Sequence, residues 1–240
     1  MRKFYLFSLI LHKYSLMNMK RIKIFTLIVA CMLATSVYAD IELKAVYIDK
    51  NGSEVITTSD FTAEAPLRVR FQSNPAGLDA AAQIEWHIRN TSTGTSITRY
   101  AQDIEYEFVE AGLNEVKLQV REDDIIIEEA SMRITISESH LEMPNAFSPN
   151  GDGINDIYRA KSNYKSIVEF HAYIFNRYGQ KIYDWEDITG GWDGTYHGHP
   201  VKDGVYYVYV KARGADGIEY NIRRDVNILR SFNELETTNP

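Results

Sequence analysis

The runs LRVRFQS (67–73), QIEWHIRN (83–90) and VKLQVRE (116–122) decide the fold class. Leu67, Val69 and Phe71 alternate with Arg68, Arg70 and Gln72. Ile84, Trp86 and Ile88 alternate with Glu85, His87 and Arg89, and Val116, Leu118 and Val120 with Lys117, Gln119 and Arg121. A period of two puts one set of side chains in a core and the other in water, as in a half-buried β-strand. Turn formers punctuate the stretch at Asn51-Gly52, Asn74-Pro75, Thr93-Gly94, Ala111-Gly112 and Glu122 to Asp124. That spacing is what a sandwich of antiparallel sheets requires. No long segment carries a helical period.

The whole chain agrees with this reading. Its 240 residues are 45% hydrophobic and 25% charged with a single Cys, which excludes a disordered chain, a collagen repeat, a disulfide scaffold and a multi-span membrane protein. Sixteen Tyr and ten Phe favour strands. Near the start, MKRIK from Met19, an apolar run from Ile24 to Ala34 and SVYA before Asp40 have the order of a secretory signal peptide. Residues 1–39 are therefore expected to be a signal peptide with an upstream start extension, and the apolar run is shorter than the ~18 residues of a spanning helix. A second reading takes Ile28-Val29-Ala30-Cys31 as a lipobox with Cys31 lipidated; the intact cut site after Ala39 ranks it below cleavage there. Those 39 residues hold six of the 26 Lys and Arg and none of the 33 Asp and Glu, so the remainder carries a net charge of −13. Such a surface repels phosphate backbones, and no nucleic-acid partner is expected. Without Cys, the exported part must rest on its hydrophobic core.

APLRVRFQSNP, QIEWHIRN and IEYEFVEAGLNEVKLQVRE together resemble a PKD-type or related immunoglobulin-like domain, with one Trp on a central strand followed by Tyr106, Phe108 and Gly112. Trp86 reads first as a core anchor and second as a sugar-stacking residue. The polar stretch SESHLEM (137–143) marks a boundary.

The second half opens with MPNAFSPNGDGINDIYRA, too dense in turn formers for regular structure and so expected to be a tight ordered loop. Val168, Phe170, Ala172 and Ile174 form one strand face. Asn176 to Gln180 turn the chain into Lys181 to Trp185, and Tyr206, Val208 and Val210 alternate with Tyr207 and Tyr209. Asp216-Gly217 is a hairpin signal. On these residues the chain resembles the gliding motility-associated C-terminal domain, the type B sorting domain of type IX secretion in Bacteroidetes. The motifs that carry the resemblance begin with PNAFSPNGDGIND, holding Pro144, Asn145, Phe147, Pro149, Asn150, Gly151, Asp152, Gly153, Asn155 and Asp156. IFNRYGQKIYDW follows with Asn176, Arg177 and Gly179, then GWDGTYHG with Trp192, Asp193 and Gly194, then DGVYYVYV with Asp203, Gly204 and Tyr206, and finally VNILR with Arg230.

The resemblance implies an exported protein that passes the outer membrane through the type IX machinery as its partner, and then stays at the cell surface or is released. It implies a fold of two immunoglobulin-like β-sandwich domains in tandem after the signal peptide: 40–139 PKD-like, 140–231 the sorting domain, 232–240 a tail. Two departures from the family pattern stand out. Arg224 replaces a small residue and is expected to alter a turn, and SFNELETTNP follows Arg230 where many relatives stop.

Little catalytic chemistry is legible. Asn150, Asp152, Asn155 and Asp156 read first as Asx-turn caps and second as oxygen ligands for Ca²⁺, although EF-hand spacing is absent. His197 and His199 would share one strand face but lack the further ligands zinc requires. Asp193 is expected to set a turn and Trp192 to pack in the core. After residue 39 there is no Cys, HExxH, GxSxG or phosphate-cradling loop, so no catalytic residue and no enzyme are expected. The task expected of the first module is adhesion or protein interaction with a surface protein or glycan. The alternatives are a resident or signalling component of the secretion machinery, and a carbohydrate-binding accessory or hydrolase in which Tyr207 and Tyr209 stack on sugars.

Overall fold

The alternating runs become strands in two layers. The computed structural model describes residues 41–74 and 82–230; the expected signal peptide with Cys31 and the tail after Arg230 lie outside the described residues. In the first half, β1 (Leu43–Ile48), β2 (Glu54–Thr57), β4 (Leu67–Ser73) and β7 (Asp103–Phe108) form a sheet ordered β2-β1-β4-β7. The facing sheet holds β3 (Phe61–Ala63), β5 (Gln83–Asn90), β6 (Ser96–Arg99), β8 (Gly112–Glu122) and β9 (Ile125–Ile136), ordered β3-β9-β8-β5-β6. Every pairing is antiparallel except β3 with β9. Phe71 and Phe108 from one sheet meet Trp86 and Leu118 from the other, all buried. The indole Nε1–H of Trp86 donates to the Ala101 carbonyl at 2.9 Å, so its one polar atom is satisfied inside the core.

The second half has a different build. β10 (Ala146–Phe147), β11 (Ile167–Phe175), β12 (Lys181–Trp185), β15 (Gly204–Gly214) and β16 (Glu219–Ile228) make a sheet ordered β10-β16-β15-β11-β12. Its inner face carries Ala172, Ile174, Val208, Val210, Val226 and Ile228. The layer that covers it is the 144–165 loop, Trp192 and a two-stranded hairpin of β13 (Thr195–Tyr196) and β14 (His199–Pro200). The described residues contain no helix, and the all-β expectation of two sandwiches holds with this thinner second layer.

Three local expectations change. Val168 does not share a face with Phe170, Ala172 and Ile174, because the register shifts between Ile167 and Glu169 and Val168 packs against the first core. His197 is not on a strand; with φ of 51° it occupies the tight turn His197-Gly198 that joins β13 to β14. Arg224 lies inside β16 and not at a turn, and its Nη1 donates to the Met143 carbonyl at 2.6 Å.

The described residues form one compact unit, and the contacts between the halves explain why. The side chain of Ser166, 1% exposed, accepts the Ala65 N–H at 3.2 Å and lies 2.9 Å from the Ser137 hydroxyl. Ala215 joins the first core, with its N–H on the Ser166 carbonyl and its own carbonyl taking the Ala111 N–H, both at 2.9 Å. Asp216 accepts the Ser139 N–H at 2.8 Å and the Ser139 hydroxyl at 2.7 Å. The polar stretch 137–143 is therefore stitched down at Ser139, with Leu141 and Met143 buried in the second core.

Candidate functional site

Phe175 pairs with Tyr207 and Gly204 with Ile228 at one end of the second sheet, while Ile167 pairs with Gly214 at the end that meets the first half. The motif residues collect at the end away from that junction. Phe147 sits 5.6 Å from Tyr158 and 5.5 Å from Trp192 by ring centroids, and Tyr206 closes on Trp192 edge to face at 5.3 Å. Trp192 and Tyr158 are fully buried. The Trp192 indole donates to the Thr195 carbonyl at 2.7 Å and the Tyr158 hydroxyl to the Pro144 carbonyl at 2.9 Å, and burial pushes the Tyr158 phenol well above its ordinary range.

Arg230, at the end of the described chain, ties three distant motifs together. Its Nη1 donates to the Asp203 carboxylate and to the Val201 carbonyl, both at 2.6 Å; its Nη2 donates to the Gly194 carbonyl at 2.9 Å, and its backbone N–H to Asp203 at 3.1 Å. A fixed guanidinium fork suits this multi-point grip, whereas an ammonium would not. Gly194 has φ of +77°, and a Cβ there would lie 3.0 Å from both Arg230 and Pro149, so the motif glycine lets the chains close. Asp193 sets the turn, accepting the Thr195 N–H at 2.9 Å and hydroxyl at 2.8 Å.

The loop from Pro149 to Asp156 is a chain of Asx turns. Asp156 accepts the N–H groups of Gly151 at 2.7 Å and Gly153 at 2.8 Å, which hold its carboxyl below the usual carboxylate range. Asp152 accepts the Ile154 N–H at 2.8 Å and the Asn150 amide at 2.9 Å. Every oxygen of these two carboxylates thus already accepts an N–H, and Asn155 adopts φ of 52° with its carbonyl taking the Ser148 N–H. The geometry suits the Asx reading of this loop. No group of three or more His, Asp or Glu converges as metal ligands among the described residues.

Asn145 joins the cluster through its carbonyl, which accepts the Asn227 N–H at 2.9 Å. The Asn176–Gly179 turn stands beside the cluster rather than in it. Asn176 caps its own hairpin through the Tyr178 and Gln180 N–H groups, and Arg177 turns its guanidinium onto the Tyr178 hydroxyl at 2.9 Å. One link reaches across, from the Gln180 amide to the Tyr196 hydroxyl at 3.2 Å. Gly191 and Tyr158 are part of the same cluster but were not among the expected residues. A Cβ on Gly191 would stand 2.6 Å from the Tyr158 carbonyl, because the next residue, Trp192, exchanges N–H···O bonds with Tyr158 at 2.8 and 2.9 Å and draws the two strands together. The Gly190-Gly191 pair before Trp192 was the available signal.

Residues 141–222 match the family model of the CHU_C type IX secretion signal domain. Residues 141–222 are thus a type IX secretion signal domain, which indicates an exported protein. No curated protein is similar to the chain. Among solved structures, a tetra-tandem repeat from the extending region of a large adhesion protein aligns at 10% identity over 78% of this chain and 66% of that one, with a TM-score of 0.28. The Bacteroides ovatus mixed-linkage glucan utilization locus protein SGBP-B aligns at 15% over 75% and 45% (TM-score 0.25), and latent PorU from Porphyromonas gingivalis at 12% over 79% and 20% (TM-score 0.25). The chain thus spans less than two thirds of the length of each, and these loose superpositions carry no argument about function.

Proposed function

We propose that this protein is a non-enzymatic type IX cargo in which residues 140–231 are the address and residues 40–139 are the module that works at the cell surface, by adhesion or protein contact. The observation that carries this reading is that PNAFSPNGDGIND, GWDG and DG, all within the matched residues 141–222, close with Arg230 on one end of the second sheet, away from the junction. That end is a ready-made recognition surface because its loops are held by the side chains of Arg230, Asp156 and Asp193, not by the first half. In the first half, Trp86 and the alternating strands are spent on packing, which leaves edges and loops for a partner.

Fractionation of cells with and without a working type IX translocon, followed by intact-mass analysis, tests the proposal. Surface or medium material that disappears without the translocon is the expected result. Full-length protein retained in the periplasm or outer membrane of both strains would instead make the chain a resident of the export apparatus.

A further inference from the structure

The second sheet has an outer face, and aromatic rings cover it where solvated strands usually carry polar side chains. Tyr173 on β11 and Tyr209 on β15 stand directly opposite in register with rings stacked at 6.1 Å and 23°, making one platform across two strands. His171 extends it, stacked on Tyr173 at 4.0 Å with its Nδ1 2.9 Å from the Tyr173 hydroxyl. Tyr207, next along the same face of β15, is 49% exposed. Cross-strand aromatic pairs stabilise a sheet, and that alone would account for a stacked pair.

The charges around the platform go further. On this face Lys181 is paired with Asp184 at 2.9 Å, and Arg213 with Glu169. Lys211 and Arg223 have no carboxylate within ion-pair distance among the described residues, and both lie over the Tyr209 ring, at 5.6 and 4.8 Å from its centroid. Two unneutralised cations beside one half-buried ring stand out on a chain whose remainder after residue 39 has an acid excess of 13. A groove of about 370 Å³ opens beside them, lined by His171, Lys211 and Asn221 and, at its far side, by Glu169, Arg213 and Glu219.

We infer that this face binds an acidic polysaccharide, one sugar ring stacking on the Tyr173–Tyr209 platform and its carboxylate or sulfate pairing with Lys211 and Arg223. The flat apolar side of a pyranose matches a flat ring, and an anionic substituent would meet the two cations over Tyr209 that no carboxylate of the face pairs. A peptide strand would need a sheet edge, and β11 and β15 are both interior to the sheet. This inference does not depend on how the protein is exported.

Affinity electrophoresis of the purified full chain in gels containing polygalacturonate, dextran sulfate or plain dextran tests it, with oligo(dT) as a competing polyanion. Retardation by polygalacturonate or dextran sulfate and not by plain dextran is expected, and which of the two retards identifies the carboxylated or the sulfated source. The K211Q/R223Q double variant should weaken that binding at least tenfold; Tyr209→Ala should abolish it and Tyr209→Phe retain it, with near-ultraviolet circular dichroism checking that each variant is folded. Absence of retardation by both acidic glycans overturns the inference. So does equal competition by oligo(dT), which would make the face a general polyanion surface, and so does self-association lost in Tyr209→Ala, which would assign the face to a second copy.

Discussion

β4 and β15 are both alternating strands, and they teach opposite lessons about what alternation reveals. In β4, Leu67, Val69 and Phe71 are buried while Arg68 and Arg70 are exposed, so chemistry and geometry coincide. In β15, Val208 and Val210 are buried, but their alternates are Tyr207, exposed, and Tyr209, half-buried, on an aromatic outer surface. Hydrophobic alternation identifies the buried face only when the other face is polar. Where both are apolar, the face is chosen by what covers it, here the 144–165 loop and Trp192.

The largest effect expected from breaking this contrast is at the covering layer. Trp192→Ala removes a fully buried indole from between Phe147 and Tyr206 together with its bond to Thr195, and should cost ~3–5 kcal/mol by urea denaturation. Tyr209→Ala, on the open face of the same sheet, should cost far less, since it leaves no cavity. Equal losses would mean that the outer face is covered as the inner one is. Gly191→Ala should follow at about 1–3 kcal/mol, because its new methyl meets backbone that cannot swing aside.

The same contrast explains what was legible in the sequence. The strands of the first half, the Asx loop and the core role of Trp192 all follow from local chemistry, since period, turn residues and aromatic bulk act within a few positions. Arg230 with Asp203, or Gly191 with Tyr158, could be recognised as motif members at most; their pairing is set by a fold that joins residues 27 and 33 positions apart. For the same reason the surroundings of Tyr207 and Tyr209 were not legible: they lie on a central strand, on the outer face of its sheet. Val168 was misread because a bulge changes the parity of everything before it.

Ser166 sharpens the comparison at the junction. It is a buried non-glycine at φ of 43° whose hydroxyl serves two partners in the first half. Ser166→Ala keeps the unfavourable backbone and strands the Ala65 N–H, and should cost about 1–3 kcal/mol. Ser166→Gly loses the same bonds but relaxes the left-handed backbone, so its midpoint in thermal denaturation should lie above that of the Ala variant. The reverse order would mean that the packing of the Cβ and the greater freedom of glycine in the unfolded chain outweigh the backbone strain at this position.

The smallest effect is expected from acid at the same junction. Burial raises the Asp216 carboxyl, but the Ser139 hydroxyl and N–H and the Ile218 N–H outweigh it, leaving the group below its ordinary value of 3.8. A carboxyl depressed in the folded chain contributes stability that is fully present above the unfolded value and drains away as pH falls through the folded one. Thermal midpoints taken downward from pH 5 should therefore fall more steeply for the natural chain than for Asp216→Asn, which has no such proton to take up, with the two curves parallel above that range. Because Asp216 is partly solvated, the difference should be modest and should shrink in salt. Parallel curves throughout would locate the acid sensitivity elsewhere, first at Asp156, whose carboxyl is depressed by the loop amides at the opposite end of the sheet.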